Sequence, residues 1–561
     1  MEPIMADVRA APAASQVAPV AAGDEMSWLG TQRKWWLLAV AVPSVMLAEM
    51  AFTGLLFSNV FVLQGIDADV YSYQWATGPY IVLMVVGALL SVRLGQTFGS
   101  QRTYLAGALL AGTGCLVAAG AHSLAVMVIG RLLMSGKVLV LCVTLSQIWL
   151  AFPRRKGLAM GVYSAAMYGG LFLGVALGGF LEFQVSWRTI YAIDSTLFFA
   201  LAIAGHRVFI HDRPAHPPPL KLNLTEVTLL AIALAVAVFL VFRGQYYGWL
   251  DSNVVAFTIP VAAIALAGFV WTALTESDPL VSVRLRRFPT LNLTLAVAGI
   301  MGGVGIGLMN NLPSYLNLRE YPSVVEGWIV FFPGIAIAIF CIASSFAHGR
   351  TRAVVALWTG LALTLIGTLW YAEADLYTSK WTVSAMLCAW AMGVGLVSPT
   401  ALQLTFEGQT PAAVQELAGV KVAVRFAATV LGAFLTALII QRGSDIGQDL
   451  LRQDVTRNRS AYARLTPRLE QHVAARGSQP ETATQQAASI VGEWVSTNAQ
   501  VTGHRAGRRF LASLTALALV LGLFVRLRPE TSILAEDSDD FGWGSHAQPP
   551  PSSETALGRA T

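Results

Sequence analysis

The chain has 561 residues, of which 55% are hydrophobic and only 12% charged, and its mean hydropathy is +0.60. Soluble proteins carry about 25% charged residues, so this composition excludes a water-soluble globular chain and reads as a polytopic membrane protein. The formal charge of +5 is therefore read loop by loop and gives no argument for a nucleic-acid partner.

Residues 1–34 are polar and Ala-rich, without the basic start, short apolar core and cleavage site of a signal peptide, and read as a disordered cytoplasmic tail. Fourteen apolar runs long enough to span a bilayer follow, at about 36–60, 73–95, 103–121, 124–150, 158–181, 189–210, 224–243, 254–274, 291–312, 327–347, 353–372, 381–405, 413–440 and 508–527. The even number puts both termini on one side. Arg93, Arg102, Arg154, Arg155, Lys156, Arg207, Arg213, Lys221, Arg284, Arg286, Arg287, Arg350 and Arg352 fall in short loops on that side, which the positive-inside rule makes cytoplasmic. The opposite loops hold only Arg188, Arg243, Arg319 and Lys380 among several acids. Residues 442–507 form a long external loop in which 446–475 and 482–500 have helical periodicity, expected to be a mobile helical excursion. Residues 528–561 read as a second disordered tail.

The fifth run places Gly170, Gly174 and Gly178 at intervals of four, on one helical face, with Gly179 beside them. Glycine inside a helix costs roughly 1 kcal/mol relative to alanine in water. Small residues on one face let membrane helices approach closely, so the row reads either as plain tight packing or as a sliding helix seam. Cys115, Cys142, Cys341 and Cys388 lie in apolar runs without metal-ligand spacing. No Walker-type loop or H-E-x-x-H occurs, which argues against an ATP-driven pump and against an enzyme; no cofactor is implied. Trp35, Trp36, Trp249, Trp328 and Trp381 stand at span ends and read as interface anchors.

The order of short motifs resembles the 14-span drug:proton antiporter family of the major facilitator superfamily, over about residues 35–527. Leu47-Ala48-Glu49 with Asn59, Trp75 with Tyr80, and Leu94 to Arg102 as a degraded G-x-L-A-D-R-x-G-R-K loop carry the first part. Arg131 with Gly136, and Pro153 to Lys156, follow in span four. Gly170, Gly174, Val175, Gly178 and Gly179 resemble G-x-x-x-G-P-x-x-G-G, which implies that the glycine row lies at the contact between two helix bundles, and Trp187 to Asp194 resembles W-R-W-I-F-Y-I-N. Gly248-Trp249 with Asp251-Ser252, Glu276 with Pro279-Leu280, Leu312 to Leu316, Phe332-Pro333-Gly334, and Arg425 with Gly432 continue it. Two departures stand out: the motif proline is Val175, and the loop aspartate is Gln96.

The resemblance implies an all-α fold of two six-helix bundles plus two extra central helices: a first bundle at 35–210, linking helices at 211–290, and a second bundle at 291–527 that includes the external loop. It further implies a proton-coupled secondary transporter exporting small amphipathic compounds or drugs across a bacterial inner membrane by alternating access. Its partners are a small-molecule substrate, protons, the lipid bilayer and, as a candidate, a periplasmic adaptor protein. Uptake or facilitated transport of a polar anion, and a non-transporting receptor or scaffold, remain as alternatives.

An ionisable group at membrane depth needs a partner, water or a function. Glu49 lies midway along span one; proton coupling is one reading, and a structural ion pair with Arg131 is the other. Lys137 either faces the cavity, favouring an anionic or zwitterionic substrate, or is half of a buried pair. Asp194, near the outer end of span six, reads as solvated or capping. Glu416, Lys421 and Arg425 form a candidate inner gate. The Gly-rich run 302–307 with Asn310 and Asn311 reads either as a substrate-lining interruption or as a packing patch.

Overall fold

The computed structural model describes residues 31–54, 59–209, 222–244, 246–247, 252–276, 279–280, 289–346, 349–457, 459–475 and 480–525. Residues 1–30 of the expected N-terminal tail, the whole expected C-terminal tail, Arg213, Lys221, Arg284, Arg286, Arg287 and the Gly248-Trp249 and Asp251 positions lie outside these, as does the side chain of Asn59, whereas residues 31–34, expected in the first tail, open a helix.

Apolar runs of this length have one way to satisfy their backbone in hydrocarbon, which is to become helices. The described residues form α1 (Thr31–Thr53), α2 (Asn59–Gly65), α3 (Val70–Phe98), α4 (Ser100–Ala119), α5 (Leu124–Met134), α6 (Lys137–Ala151), α7 (Lys156–Gln184), α8 (Trp187–Val208), α9 (Leu224–Arg243), α10 (Asn253–Thr275), α11 (Pro289–Asn317), α12 (Ser323–Ala343), α13 (Arg350–Ala372), α14 (Lys380–Phe406), α15 (Pro411–Arg457), α16 (Arg459–Ala474) and α17 (Pro480–Leu523). Fourteen segments among them are long and apolar enough to cross a membrane, with α5 and α6 together forming one. Caps follow the sequence: Asp69 opens α3 by accepting from the backbone N–H groups of Tyr71 (2.7 Å) and Ser72 (2.9 Å), and its bond from the Ser72 hydroxyl leads in holding its carboxyl below the usual aspartate range.

α1 and α3–α8 pack as one bundle and α11–α15 with α17 as the other, and the apolar core runs across their junction, since the first bundle's cluster takes in Phe406 and Phe426 and the second's takes in Phe172 and Val175. They meet where α7 crosses α12 and α14, and where α15 lies against α3 and α6. Near the end at which α1 begins, Trp149 packs edge-on to Phe406 at 5.3 Å, and a Cβ on Gly419 would lie 2.6 Å from the carbonyl oxygen of Ala88, so that end is sealed. The two extra helices are central in sequence but peripheral in space. α9 leans on α3, and α10 packs chiefly on α9. Their roots are tied at that same end by Arg93 donating to the carbonyl of Pro279 (2.8 Å) and by the Leu280 N–H donating to the buried Glu226 (2.8 Å).

Three expected features are corrected. Span four is not one continuous helix: Ser135 and Gly136 carry i→i+3 bonds, a tightened turn that brings Gly136 against Leu110 and Gly107 of α4. Residues 442–507 are not a loop excursion separate from the spans. α15 runs unbroken through Arg457, α17 starts at Pro480, and the two pair closely where Gly443 meets Gly503 and Gly447 meets Ala499, with α16 at the turn. The polar surface of this hairpin hid its continuity, because periodicity without an apolar face does not distinguish a helical extension from a loop. The glycine row of α7 is not the contact between bundles. Added Cβ atoms on Gly170, Gly174 and Gly178 would meet the α1 backbone or the residue after it, at Met46, Met50 and Gly54, so the row packs inside the first bundle, where Gly179 is also buried. The opposite face of α7, with Phe172, Val175 and Ala176, meets the second bundle, and Gly334 and Gly327 of α12 approach it there.

Candidate functional site

Glu49 is fully buried near the C-terminal end of α1 rather than midway along it, and its partner is Arg425 of α15, in the other bundle. Arg425 Nη1 donates to Oε1 at 2.5 Å and Nη2 to Oε2 at 2.8 Å, the two-pronged geometry that a guanidinium and a carboxylate form best. Nη1 also lies 3.1 Å from the Met167 sulfur of α7. Arg131, the partner expected from sequence, is turned into its own bundle. It donates to the hydroxyls of Tyr73 (2.5 Å) and Tyr191 (3.4 Å), and its charge lies over the Tyr73 and Tyr80 rings at 5.1 and 5.7 Å. Aromatic faces and phenol oxygens surround this permanent cation, which is why a search for acid–base pairs along one bundle goes astray. Its buried Nε is without a hydrogen-bond partner among the described residues.

A cavity of about 40 Å³ adjoins the pair, lined by Tyr163, Met167, Tyr168, Ser398, Lys421 and Arg425 among apolar neighbours. Ligand sites for drug-sized molecules span roughly 300–1,000 Å³, so the space beside the pair is too small for one in this conformation. Lys421 has no hydrogen-bond or ion-pair partner among the described residues, and no acidic side chain lines this cavity. The expected gate of Glu416, Lys421 and Arg425 is thus not one cluster. Arg425 belongs to Glu49, Lys421 faces the cavity one turn away, and Glu416 lies outside its lining.

Lys137 is fully buried at the start of α6, its ammonium over the rings of Phe52 (5.0 Å) and Tyr80 (5.4 Å) with no hydrogen-bond partner. Asp194 is neither solvated nor a cap: it is 1% exposed, with one carboxylate oxygen unpartnered, and is in electrostatic reach of Lys137. Its place near a helix end suggested solvent, but α4 packs over that stretch of α8, where Ser195 donates to the carbonyl of Gly112 at 2.9 Å.

α11 is continuous through its glycines. Gly303 and Gly307 pack on α15 at Ala428 and Thr436, while Gly302 lines the cavity beside Arg425, so the run both packs and borders that space without interrupting the helix. Asn310 is exposed and Asn311 is buried towards Gly507 of α17; neither lines the cavity. A residue that the sequence reading passed over is Arg508, fully buried and held between Tyr315 (4.7 Å) and Tyr371 (4.9 Å) while donating to the carbonyl of Ala374 (2.7 Å). It stood at the assumed edge of span fourteen, and only the earlier start of α17 brings it inside. Among the described residues no group of His, Cys, Asp or Glu is arranged to hold a metal ion.

With this geometry in view, the sequence was compared with known proteins, and the family model described as Major Facilitator Superfamily matches residues 35–437. The chain belongs to the major facilitator superfamily. It is 27% identical over 438 residues to the tetracenomycin C resistance and export protein of Streptomyces glaucescens, covering 74% of this chain and 78% of that one. Against the multidrug resistance protein Stp of Mycobacterium tuberculosis (strain CDC 1551 / Oshkosh) it is 25% identical, covering 59% and 62%. Against the methyl viologen resistance protein SmvA of Salmonella typhimurium (strain LT2) it is 24% identical, covering 80% and 87%. The human organic anion transporter MFSD10 (TETRAN) superposes with a TM-score of 0.54 at 14% identity, over 87% of this chain and 99% of that one, a likeness of fold. The protein is therefore a multi-pass transporter of this superfamily whose relatives are resistance exporters, and the Glu49–Arg425 pair joins the two halves of its fold.

Proposed function

We propose that this superfamily member exports small amphipathic compounds in exchange for protons across a bacterial inner membrane, with both termini in the cytoplasm. Residues 35–210 and 291–527 are the bundles that rock, and 211–290 carries the added helices. The observation that carries the reading is the buried Glu49–Arg425 pair between the bundles, beside the cavity. Protonation of Glu49 would remove the charge that holds Arg425, loosening the tie between α1 and α15. Deprotonation would restore it. The names of the relatives supply the direction, and the small cavity fits an intermediate of alternating access. A periplasmic adaptor protein would have the α15–α17 hairpin to dock on. In proteoliposomes with an imposed pH gradient, tetracenomycin C or methyl viologen is expected to move against its own gradient and to release protons. Flux that persists unchanged after the gradient is collapsed would rule out the coupling.

Lys421 favours a second reading of the cargo. A second cation beside Arg425, without an acid of its own among the described residues, in a largely apolar cavity suits a polar or anionic compound, taken up or equilibrated. On that reading Lys421→Gln raises the KM for organic anions about tenfold, the worth of one charge-assisted bond, and leaves neutral compounds unchanged. Equal effects on both would reject it.

A further inference from the structure

Away from the transport path, on the outer flank of the first bundle, α3 and α9 enclose a slot of about 300 Å³. The two helices touch at Gly78, where an added Cβ would lie 2.9 Å from the Val238 side chain. Beyond that contact they part. Pro79 contributes to the opening, since it gives no N–H to the carbonyl of Trp75 one turn earlier. The walls are almost wholly apolar, from Val82, Ala235, Phe239 and Phe242, with Leu132 of α5 at the back. Two polar groups stand at the end away from the sealed face. Arg243 has a buried Nε without a hydrogen-bond partner, and among the described residues its charge rests on the rings of Trp75 (5.3 Å) and Tyr246 (5.7 Å). The Oε1 of Gln74 is likewise buried without a donor.

The chemistry of this place is sharply divided: one apolar channel, one cation and one hydrogen-bond acceptor, at the depth marked by the exposed rings of Trp75 on α3 and Tyr246 beyond the end of α9. A soluble anion would leave the channel unfilled, and a plain hydrocarbon would leave Arg243 and Gln74 unanswered. A diacyl glycerophospholipid answers all three, with an acyl chain in the slot, the phosphate on Arg243, and a head-group N–H or O–H on Gln74. We propose that this slot is a binding site for a phospholipid whose head group donates hydrogen bonds, as ethanolamine and glycerol head groups do and choline does not. The lipid would complete the interface between α9 and α3, which at the opposite end is held by Arg93–Pro279 and Glu226–Leu280. The added helix pair would then be mortared to the transport body by lipid at one end and by protein bonds at the other.

The test is native mass spectrometry of the full-length protein, delipidated and then titrated with phosphatidylethanolamine, phosphatidylglycerol or phosphatidylcholine in detergent. The wild type is expected to retain the first two several-fold better than the third. Arg243→Gln should lower retention of both about tenfold, and Gln74→Leu should erase the preference over the choline lipid. Ala235→Trp, on an exposed position of α9 facing the slot, should block all three without touching either polar group. Inorganic phosphate at millimolar concentration should displace none of them. Equal retention of all three lipids by the wild type, unchanged retention in Arg243→Gln or Ala235→Trp, or displacement by free phosphate would each overturn the proposal. The readout is independent of cargo or protons, so a protein that transports nothing would still answer it.

Discussion

Glu49→Gln is expected to lower proton-driven transport about 100-fold, the equivalent of about 2.7 kcal/mol in a rate, and to destabilise the protein as well. The amide keeps the shape of the side chain but removes the only anion among the described residues in contact with Arg425, whose side chain is 15% exposed. Removing one partner of a buried ion pair costs about 3–5 kcal/mol, because the remaining charge is left uncompensated, whereas removing both charges is often close to neutral. The two consequences can therefore be separated. Arg425→Gln should resemble Glu49→Gln in thermal stability. The double variant Glu49→Gln/Arg425→Gln should melt close to wild type in detergent yet remain uncoupled, since nothing in it can alternate between paired and unpaired. Were the double variant as unstable as the singles, the pair would not be the interaction being measured. Were Glu49→Gln to transport against a gradient at the wild-type rate, the carboxylate would have no part in coupling.

The second large effect is steric. Gly174→Val and Gly178→Val should each lose folded, monodisperse protein, at a cost of at least about 3 kcal/mol from overpacking. At Gly174 even the first added carbon would lie 2.8 Å from the Met50 Cα and 2.6 Å from the Thr53 hydroxyl, and at Gly178 it would fall on the carbonyl of Gly54. These obstacles are mostly backbone, which cannot swing aside, and Thr53 already ties α1 to α7 by donating to the carbonyl of Leu171 at 2.7 Å. Gly169→Val is the matched control. It adds the same side chain on the same helix, where a Cβ has nothing within 4 Å, so its melting temperature should stay near wild type. A Gly178 variant as stable as the Gly169 variant would mean that α1 and α7 can part without loss.

The helices were legible because membrane spans declare themselves by length and hydropathy, and the spacing of Gly170, Gly174 and Gly178 correctly announced a close approach. What that spacing does not encode is the neighbour. A face of small residues says that some backbone comes near, and here it is α1 rather than the second bundle. The same limit applies to charges. Glu49 and Arg425 were both visible as buried ionisable residues, yet they lie 376 positions apart and join only through the docking of two bundles. Arg131 was the tempting partner because it is nearer in sequence, and what draws it away is the aromatic trio of Tyr73, Tyr80 and Tyr191, which looks like ordinary core in a linear reading. Asp194 and Arg508 were misjudged or missed for a related reason. Depth was inferred from distance to a helix end, while α8 is covered by α4 near Asp194 and α17 begins earlier than its hydropathy suggests.

The unbroken course of α15 has a mechanical consequence. The helix that holds Arg425 at mid-depth continues without interruption to Arg457, about 48 Å further along its axis at 1.5 Å per residue. On the proposed mechanism, a tilt of about 10° about the ion pair would become a sweep of about 8 Å at the tip, so the far end of the hairpin would move with the pairing of Glu49 and Arg425.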